Sequence, residues 1–473
     1  MCAYLSEMSV LSPEILLSLA ACVLLMIGAF TKSTCFRVLN ATVAVVVAVA
    51  AYLVVYQVPS GEVFAFDGLF KTSYLIKILK LLLLTSSIFY IILYKGQKFQ
   101  SESMLKFYEF PVLLLLAITG MLLMISANNF LSLYVSLELQ SFCLYVLAAF
   151  EREDSKASEA GLKYFVLGSF ASGILLFGIS LIYGFTGNLD YQSLQILLSN
   201  NPSSNVAMGI IIGIIMLLIG VFFKISAAPF HMWTPDVYQG SPTIVTTFFA
   251  SVAKVGAVGL LLRLTLDVFE GWKSELQPIL VLVTCASVLI GSIGALKQSN
   301  IKRLMAYSSI GHVGYILLAI ASFSLIDTGA SVVRYLIIYV SMTLGTFAMI
   351  MNIQKNGKSI SNIEDLAGLS KSNPWTAATM AIFMFSLAGI PPLAGFFAKF
   401  YVFQAALNAK IYLSVAASMV AAVIAAYYYL KIVKIIYLDE LKDKFTIDMS
   451  YSTKFIIWVL ALFNLFYMVL ASN

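Results

Sequence analysis

Long apolar segments alternate with short polar ones along almost the whole chain. A helix of about 20 apolar residues crosses the hydrocarbon core of a bilayer, and a window of that length fits the sequence about fourteen times. We predict spans at residues 13–31, 37–57, 75–94, 109–126, 128–150, 161–184, 206–227, 242–263, 278–297, 302–322, 330–352, 374–393, 396–430 and 454–471. Within 396–430, Lys399–Leu407 completes the preceding helix and Ile411–Tyr437 forms the next one. The pattern predicts an all-α polytopic membrane protein.

Proline interrupts two of these spans. In the first, Lys224 lies inside an apolar run that Pro229 ends, so the lysine precedes the break. In the second, Pro391 and Pro392 come first and Lys399 follows the break. Broken helices are tolerated at membrane depth where the freed backbone lines a cavity, which is how many transporters build ion sites. We therefore expect a charge-translocating site near each break.

The central spans form two blocks of five, at residues 109–263 and 278–437. Because five is an odd number, the second block must enter the membrane from the side opposite to the first. Each block contains one broken helix, so we predict two inverted five-helix repeats. Residues 1–108 are predicted to form a three-helix N-terminal segment, and residues 454–473 a C-terminal helix.

The composition supports this class of protein. Apolar residues make up 61% of the chain and charged residues 11%, whereas soluble domains carry about 25% charged residues. Loops after the odd-numbered spans hold most of the lysine and arginine, which predicts that they are cytoplasmic and that both termini are periplasmic. Arg263 belongs to the poorer, even-numbered loops, and we interpret Lys77 and Lys80 as snorkelling side chains. We expect contact with the lipid bilayer and with no nucleic acid.

The cysteines show no pattern typical of a metal site. All five (Cys2, Cys22, Cys35, Cys143 and Cys285) stand singly, without a C-x-x-C pair. This spacing speaks against an iron–sulfur cluster or a structural zinc site. The sequence also has no glycine-rich dinucleotide fingerprint and no Walker loop. We expect no metal and no redox cofactor in this chain.

Glu138 lies deep inside the predicted span 128–150. At helical spacing it shares a face with Tyr134, Ser141 and Tyr145 on an otherwise apolar helix. A lone buried carboxylate would take up a proton, whereas one that faces Lys224 can stay charged. Ionisable groups inside a membrane are functional by default, so we favour a role in charge transfer. The alternative is a structural ion pair that joins two helices.

Lys224 and Lys254 are the basic candidates of the first block. An ammonium at mid-membrane depth costs roughly 2.5–3.5 kcal/mol, so a chain that keeps two of them has a use for them. Thr243, Thr247 and Ser251 share a helical face with Lys254 and could hold water. Snorkelling is the alternative for both lysines, although both stand far from the helix ends.

Lys399 and the two histidines extend the set. Lys399 follows the second break and is a candidate terminal proton site, unless it reaches the interface. His231 and His312 are possible relays because imidazole changes charge near neutral pH, or they are hydrogen-bonded core residues. His312 shares a helical face with Ser308 and Tyr315. Tyr427–Tyr429 are interpreted as packing or an interfacial aromatic patch.

Four stretches of the sequence resemble a known family. They are LSLYVSLELQSFCLYVLAAF, SEAGLKYFVLGSFASGILLFGISLIYG, FKISAAPFHMWTPDVYQGSPT, and KRLMAYSSIGHVGYILL together with SLAGIPPLAGFFAKFYVF. These stretches resemble the antiporter-like membrane subunits of bacterial NADH–quinone oxidoreductase (respiratory complex I). The motifs of the sixth and seventh spans favour the subunit N family over the L and M families. Lys399 also fits, since the M-type subunit tends to place a glutamate there.

The resemblance implies a proton path through Glu138, Lys224, Lys254 and Lys399. NADH oxidation and quinone reduction in other subunits, which hold FMN and iron–sulfur clusters, would drive it. A charge change that arrives from a neighbouring subunit would loosen the Glu138–Lys224 pair, so that Lys224 passes its proton inward and Lys399 releases one outward. The implied partners are the M-type antiporter-like subunit and the small K- and J-type subunits, in the bacterial inner membrane.

Three other functions are compatible with the sequence. The nearest is a subunit of a multisubunit Na⁺/H⁺ antiporter or of a membrane-bound hydrogenase. A solo secondary transporter of a small solute would be active when the chain is expressed alone. A purely structural membrane subunit would tolerate neutral substitutions of Glu138, Lys224 and Lys399.

Overall fold

The computed structural model describes residues 7–30, 36–95, 107–200, 204–323, 325–441 and 445–471. Two of the five cysteines, Cys2 and Cys35, lie outside the described residues. So do several of the loop lysines on which the predicted orientation depends, namely Lys32, Lys98, Lys106, Lys442 and Lys444.

Helices account for most of the described chain. They are α1 (Ser12–Phe30), α2 (Phe36–Tyr56), α3 (Tyr74–Lys95), α4 (Glu109–Ser126), α5 (Phe130–Ala148), α6 (Ser155–Thr186), α7 (Tyr191–Ser199), α8 (Ser204–Ile225), α9 (Trp233–Gly240), α10 (Thr243–Ala250), α11 (Val252–Arg263), α12 (Lys273–Leu296), α13 (Ile301–Ile320), α14 (Leu325–Asn352), α15 (Leu369–Ser372), α16 (Pro374–Ala388), α17 (Ala394–Asn408), α18 (Tyr412–Leu438) and α19 (Tyr451–Ala471). A π-helical turn, Leu264–Val268, and 3₁₀ turns at Glu270–Trp272 and Ile363–Leu366 complete the helical segments.

Five short strands connect some of the helices. Strands β1 (Val63–Ala65) and β2 (Phe70–Thr72) form an antiparallel hairpin, with Val63 opposite Thr72. Strands β3 (Ile353–Lys355), β4 (Lys358–Ser359) and β5 (Phe445–Ile447) form a second sheet in the order β4-β3-β5, in which Ile353 pairs with Ile447.

The helices confirm the predicted fold class. Among the described residues, twelve helices are long and apolar enough to span a bilayer, and two shorter apolar helices lie at Ala41–Tyr56 and Pro374–Ala388. The predicted break within 396–430 is also confirmed, because α17 ends at Asn408 and α18 begins at Tyr412. The chain is a multi-pass membrane protein.

One predicted span is not a continuous helix. Residues 242–263 divide at Ser251 into α10 and α11. The backbone of Ser251 departs from helical geometry, with φ −116° and ψ −78°, and its hydroxyl donates to the carbonyl of Thr247 at 2.6 Å. The face that the sequence analysis assigned to Thr243, Thr247, Ser251 and Lys254 is therefore divided between two helices.

The chain forms two compact units. The first contains the described residues of 1–91, 103–225 and 252–276, and the second those of 92–102, 226–251 and 277–473. In the first unit, α6 and α8 pack at glycine. A Cβ on Gly178 would lie 2.6 Å from the carbonyl oxygen of Gly213, so only glycine lets these two backbones approach so closely.

Arg263 acts as a helix cap in the first unit. Its guanidinium, 1% exposed, donates to the carbonyls of Ile125 at 2.9 Å and Ala127 at 2.5 Å, at the end of α4. It also donates to the Asp267 carboxylate at 3.0 and 2.8 Å. The carbonyls that a helix C-terminus leaves without partners are thereby satisfied. The assignment of Arg263 to a loop is wrong, because α11 carries it into the core.

A buried ion pair joins α1 to α3. Lys80 Nζ lies 2.6 Å from Glu14 Oε1, and the two side chains are 0% and 2% exposed. The interpretation of Lys80 as a snorkelling residue is therefore wrong. Lys77 instead donates to the carbonyls of Val55 and Val58, both at 2.9 Å, at the end of α2. Removal of one member of a buried pair leaves an uncompensated charge, which costs about 3–5 kcal/mol.

We expect Glu14→Gln to destabilise the detergent-solubilised protein by about 3–5 kcal/mol, because it strands the Lys80 ammonium in the core. The thermal unfolding midpoint measures the loss. The double variant Glu14→Gln/Lys80→Met should recover most of the stability. The matched control is Glu62→Gln, which breaks the Lys71–Glu62 bridge where the glutamate is 67% exposed and should cost at most about 1 kcal/mol. Equal effects of Glu14→Gln and Glu62→Gln would contradict the assignment.

Candidate functional site

The two broken helices end in the same way. Helix α8 ends at Ile225 and is followed by Ser226 with φ +64°, and α16 ends at Ala388 and is followed by Gly389 with φ +85°. A left-handed residue after the last turn leads the chain away from the helix axis. It leaves the last carbonyl groups without partners in their own helix, and buried carbonyls need a donor.

A lysine supplies the donor at each break. In the first unit, Lys254 Nζ donates to the Ile225 carbonyl at 2.7 Å. In the second unit, Lys399 Nζ donates to the carbonyls of Leu387 at 3.3 Å and Ala388 at 2.8 Å. The partial negative charge at a helix C-terminus favours a cation there. The sequence analysis treated Lys399 as the counterpart of Lys224, because each lies near a proline break. The hydrogen bonds show that its counterpart is Lys254, since both donate to carbonyls at the end of a broken helix.

Lys224, the residue just before Ile225 at the end of α8, has different partners. Its Nζ donates to the hydroxyls of Ser141 at 2.7 Å and Tyr145 at 3.0 Å, both on α5, and lies 5.2 Å from the centre of the Tyr145 ring. The predicted polar stripe of α5 therefore faces this lysine. A hydroxyl is both donor and acceptor, so the same contacts can serve an ammonium or a neutral amine.

Glu138 lies beside this cluster and does not form a direct pair with Lys224. Among the described residues, no ion pair within 4.0 Å involves Glu138, and its Oε1 is buried without a hydrogen-bond partner. On the same helix, Val135 and Phe142 are 60% and 54% exposed. Glu138 thus stands where the polar stripe of α5 meets an exposed apolar face, and the expected Glu138–Lys224 contact is replaced by the hydroxyls of Ser141 and Tyr145.

His312 lies at the centre of a polar cluster in the second unit. Its Nδ1 is 2.7 Å from the Tyr335 hydroxyl, and its Nε2 is 3.4 Å from the Tyr429 hydroxyl. Tyr429 is also hydrogen-bonded to Ser308, one turn before His312 on α13. Both ring nitrogens therefore face groups that can donate or accept a proton.

A small cavity connects this cluster to Lys399. Its volume is about 10 Å³, the room that one water molecule requires. Its lining includes Ser308, His312, Tyr315, Lys399 and Tyr429. The structure thus brings His312 and Lys399 to a single cavity.

Tyr335 and Tyr429 are the members of this cluster that the sequence analysis did not propose as site residues. Tyr427 is 64% exposed, as an interfacial residue would be, but Tyr428 and Tyr429 are 4% and 1% exposed. Of the two interpretations, an interfacial patch fits Tyr427, whereas Tyr428 and Tyr429 are packed inside the protein. The available signal was the helical repeat, because a run of three aromatic residues on one helix cannot face lipid throughout.

His231 stands apart from these groups. It lies in the turn between α8 and α9 and is 7% exposed, and within the described residues no hydrogen bond joins its ring to another candidate. Nearby on α9, Asp236 pairs with Arg303 of α13 at 2.6 Å, which holds the loop in place. In the part of the chain that the structure describes, no group of three His, Cys, Asp or Glu residues is placed to hold a metal.

Comparison with known proteins shows which family this sequence resembles. Residues 127–425 match the family described as "NADH:quinone oxidoreductase/Mrp antiporter, TM". "NADH-quinone oxidoreductase subunit N 1" of Rhizobium meliloti (strain 1021) is 46% identical, over 92% of this chain and 89% of that protein. "NADH-quinone oxidoreductase subunit N" of Parvibaculum lavamentivorans is 45% identical, over 97% of this chain and 93% of that protein.

Solved structures have the same fold. A chain of respiratory complex I from Thermus thermophilus, with bound aureothin, superposes with a TM-score of 0.81 at 29% identity, over 97% of both chains. A chain of the Mrp complex from Dietzia sp. DQ12-45-1b superposes with a TM-score of 0.83 at 19% identity, over 99% of this chain and 95% of that one. The second likeness shows the fold alone.

Loss of the two hydroxyls around Lys224 should destabilise the protein. We expect Ser141→Ala/Tyr145→Phe to lower the stability of the first unit by about 1.5–3 kcal/mol per hydroxyl, because each hydrogen bond to a charged group is of that size. The triple variant that adds Lys224→Met should recover much of the loss, since no ammonium is then left without partners. Thermal unfolding of the solubilised protein measures both effects. Equal instability of the triple and double variants would show that packing, rather than the ammonium, requires the hydroxyls.

Proposed function

The chain belongs to the NADH:quinone oxidoreductase/Mrp antiporter transmembrane family and, within it, to subunit N of NADH-quinone oxidoreductase, and from this premise we propose that it translocates protons across the membrane. It does so as a subunit of NADH–quinone oxidoreductase. The energy comes from NADH oxidation and quinone reduction in other subunits. The proton path runs through the buried residues Glu138, Lys224, Lys254 and Lys399.

The observation that carries the proposal is the setting of the buried lysines. The side chains of Lys224, Lys254 and Lys399 are 9%, 2% and 6% exposed, and all three lie in apolar helices. The hydrogen bonds described for them go to neutral hydroxyl and carbonyl oxygens. A neutral amine can keep hydrogen bonds to the same atoms, so these contacts survive when a proton leaves. That property suits a relay.

The mechanism is electrostatic. Glu138 stands at the border of an exposed apolar face, where a neighbouring subunit can change its charge state. Because Lys224 lies behind Ser141 and Tyr145, a change of charge at Glu138 alters the field at the ammonium without breaking a direct pair. Lys224 then passes its proton inward along water and hydroxyl groups, and Lys399 releases one outward. His312 and Tyr429 border the cavity at Lys399 and serve as relays there.

The larger assembly follows from the same premise. Residues 109–263 and 278–437 form the two antiporter-like repeats, with 1–108 and 454–473 beside them. FMN and iron–sulfur clusters belong to partner subunits, and the membrane partners are the M-type antiporter-like subunit and the small K- and J-type subunits. The complex lies in the bacterial inner membrane, with both termini of this chain on the periplasmic side.

Subunits of Na⁺/H⁺ antiporters are the nearest alternative because they share the fold. The Mrp chain, at 19% identity, supports the shared fold and carries no function to this chain. The relatives that are 45–46% identical over nine tenths of the chain are all named as subunit N of NADH-quinone oxidoreductase. This difference favours the oxidoreductase.

Lys224→Ala should lower both proton pumping and NADH:quinone turnover by about tenfold, which corresponds to roughly 1.4 kcal/mol on the limiting barrier. Both fall because coupled electron transfer cannot proceed when the proton path is closed. The measurement is made in membranes that contain the assembled complex, with pumping and turnover recorded together. The matched control is Lys163→Ala, at a lysine 42% exposed and paired with Glu159, which should leave both activities unchanged.

Two results would contradict the proposal. Unchanged pumping and turnover in an assembled Lys224→Ala complex would mean that the charge is structural. Transport by this chain expressed alone would favour a solo transporter over a subunit of a complex.

A further inference from the structure

The C-terminal helix α19 carries a buried asparagine at the end of a polar chain of contacts. Asn464 is 0% exposed, in a helix whose other buried positions are mostly apolar. Its Nδ2 donates to the Ser341 hydroxyl on α14 at 3.0 Å and to the Leu460 carbonyl at 2.8 Å. Its Oδ1 accepts from the Ser386 hydroxyl at 2.8 Å. Both amide hydrogens and the carbonyl oxygen are therefore used.

Ser386 connects this chain to the second break. It lies on α16, two residues before the end of the helix, and is 0% exposed. Its hydroxyl donates to Asn464 and accepts from the backbone N–H of Gly395, at 3.1 Å, in the first turn of α17. One side chain thus joins the two halves of the broken helix, and Asn464 determines which way its hydroxyl points.

The two halves meet closely at this position. A Cβ on Gly395 would overlap the carbonyl oxygen of Ser386, so glycine alone permits the approach. From Gly395, α17 runs one turn to Lys399, whose ammonium returns to the carbonyls of Leu387 and Ala388. The Ser386–Gly395 contact therefore sets the distance between the lysine and the carbonyls that receive it.

We propose that Asn464 is a positioning residue: through Ser386 it holds the two halves of the broken helix in the arrangement that places the Lys399 ammonium on the end of α16. Asn464 does not touch the proton-carrying group. It acts through Ser386, while Ser341 on α14 holds its amide. The C-terminal helix α19 then contributes to the proton site as well as to the surface that faces lipid.

The first test reads the geometry of the break and does not depend on proton transfer. In the assembled complex, Asn464→Leu removes every polar contact of this side chain and leaves the Ser386 hydroxyl without its acceptor. Hydrogen exchange, followed by mass spectrometry, should rise about tenfold in a peptide that covers residues 390–400, since a satisfied buried group becomes unsatisfied. A peptide from residues 415–429 of α18 should keep its wild-type rate.

Matched variants separate positioning from general loss of packing. Asn352→Leu makes the same change at another buried asparagine, whose amide donates to the Ala348 carbonyl of its own helix, and it should leave exchange at 390–400 unchanged. Ser386→Ala should reproduce the effect of Asn464→Leu. The double variant should show no more exchange than the larger single effect, because both changes remove one shared contact.

The second test measures the consequence for coupling, and this part rests on the proposed function. Asn464→Leu should lower pumping and turnover together, by about as much as Lys399→Ala, while Asn352→Leu should not. If Lys399→Ala leaves both activities intact, the proton role of Lys399 fails, yet exchange at 390–400 still decides the role of Asn464.

Wild-type exchange at residues 390–400 in assembled Asn464→Leu would overturn the proposal. So would an effect of equal size from Asn352→Leu. If Asn464→Leu does not assemble, Ser386→Ala carries the test, because it removes a single oxygen and leaves α19 unchanged.

Discussion

The structure depends on one constraint: a charge or a carbonyl group buried in an apolar bundle must have a hydrogen-bond partner inside the protein. At the helix breaks, a buried ammonium and the buried carbonyl groups satisfy each other. The end of α8 leaves the Ile225 carbonyl without a partner, and the end of α16 leaves those of Leu387 and Ala388. Lys254 and Lys399 lie at these carbonyls. Each lysine can be buried because a helix stops beside it.

The same constraint accounts for the groups that lie away from the breaks. Lys80 is balanced by Glu14, and Arg263 by Asp267 and the end of α4. The Lys80–Glu14 pair joins α1 to α3, and Arg263 joins α11 to the end of α4 through the carbonyls of Ile125 and Ala127. Lys224 meets the hydroxyls of Ser141 and Tyr145 instead. A carboxylate partner is thus described for Lys80 and Arg263, and hydroxyl partners are described for Lys224.

The sequence predicted the class of the protein and the burial of Lys224, Lys254 and Lys399, because hydropathy and charge are local properties. An apolar run of sufficient length predicts a span wherever it occurs, and a lysine inside that run is visible at once. The partners were harder to predict, since Glu14 and Lys80 are far apart in sequence and Glu14 stands near the end of its helix, where a charge is ordinary. Tyr429 and Asn464 are polar residues in apolar helices, and only tertiary packing shows which of them face inward.

The predicted breaks were located correctly by their prolines, but proline cannot show which side chain returns to the freed carbonyls. That choice depends on the left-handed turns at Ser226 and Gly389 and on how closely the next helix approaches. The interruption at Ser251 had no proline to mark it. It lies at a serine whose backbone leaves helical geometry, which the apolar pattern does not record.

The capping role of Lys399 has a consequence for energy conversion. One ammonium group both holds a proton and closes the end of α16, so the proton occupancy of that site and the position of that helix end are thermodynamically linked. Linkage is reciprocal. If protonation stabilises the closed cap by a given free energy, displacement of the cap changes the proton affinity of Lys399 by the same free energy. A displacement of α17 and a change in the electrostatic potential at the ammonium then shift the same equilibrium. Under the proposed function, this subunit can in this way exchange work with a distant one.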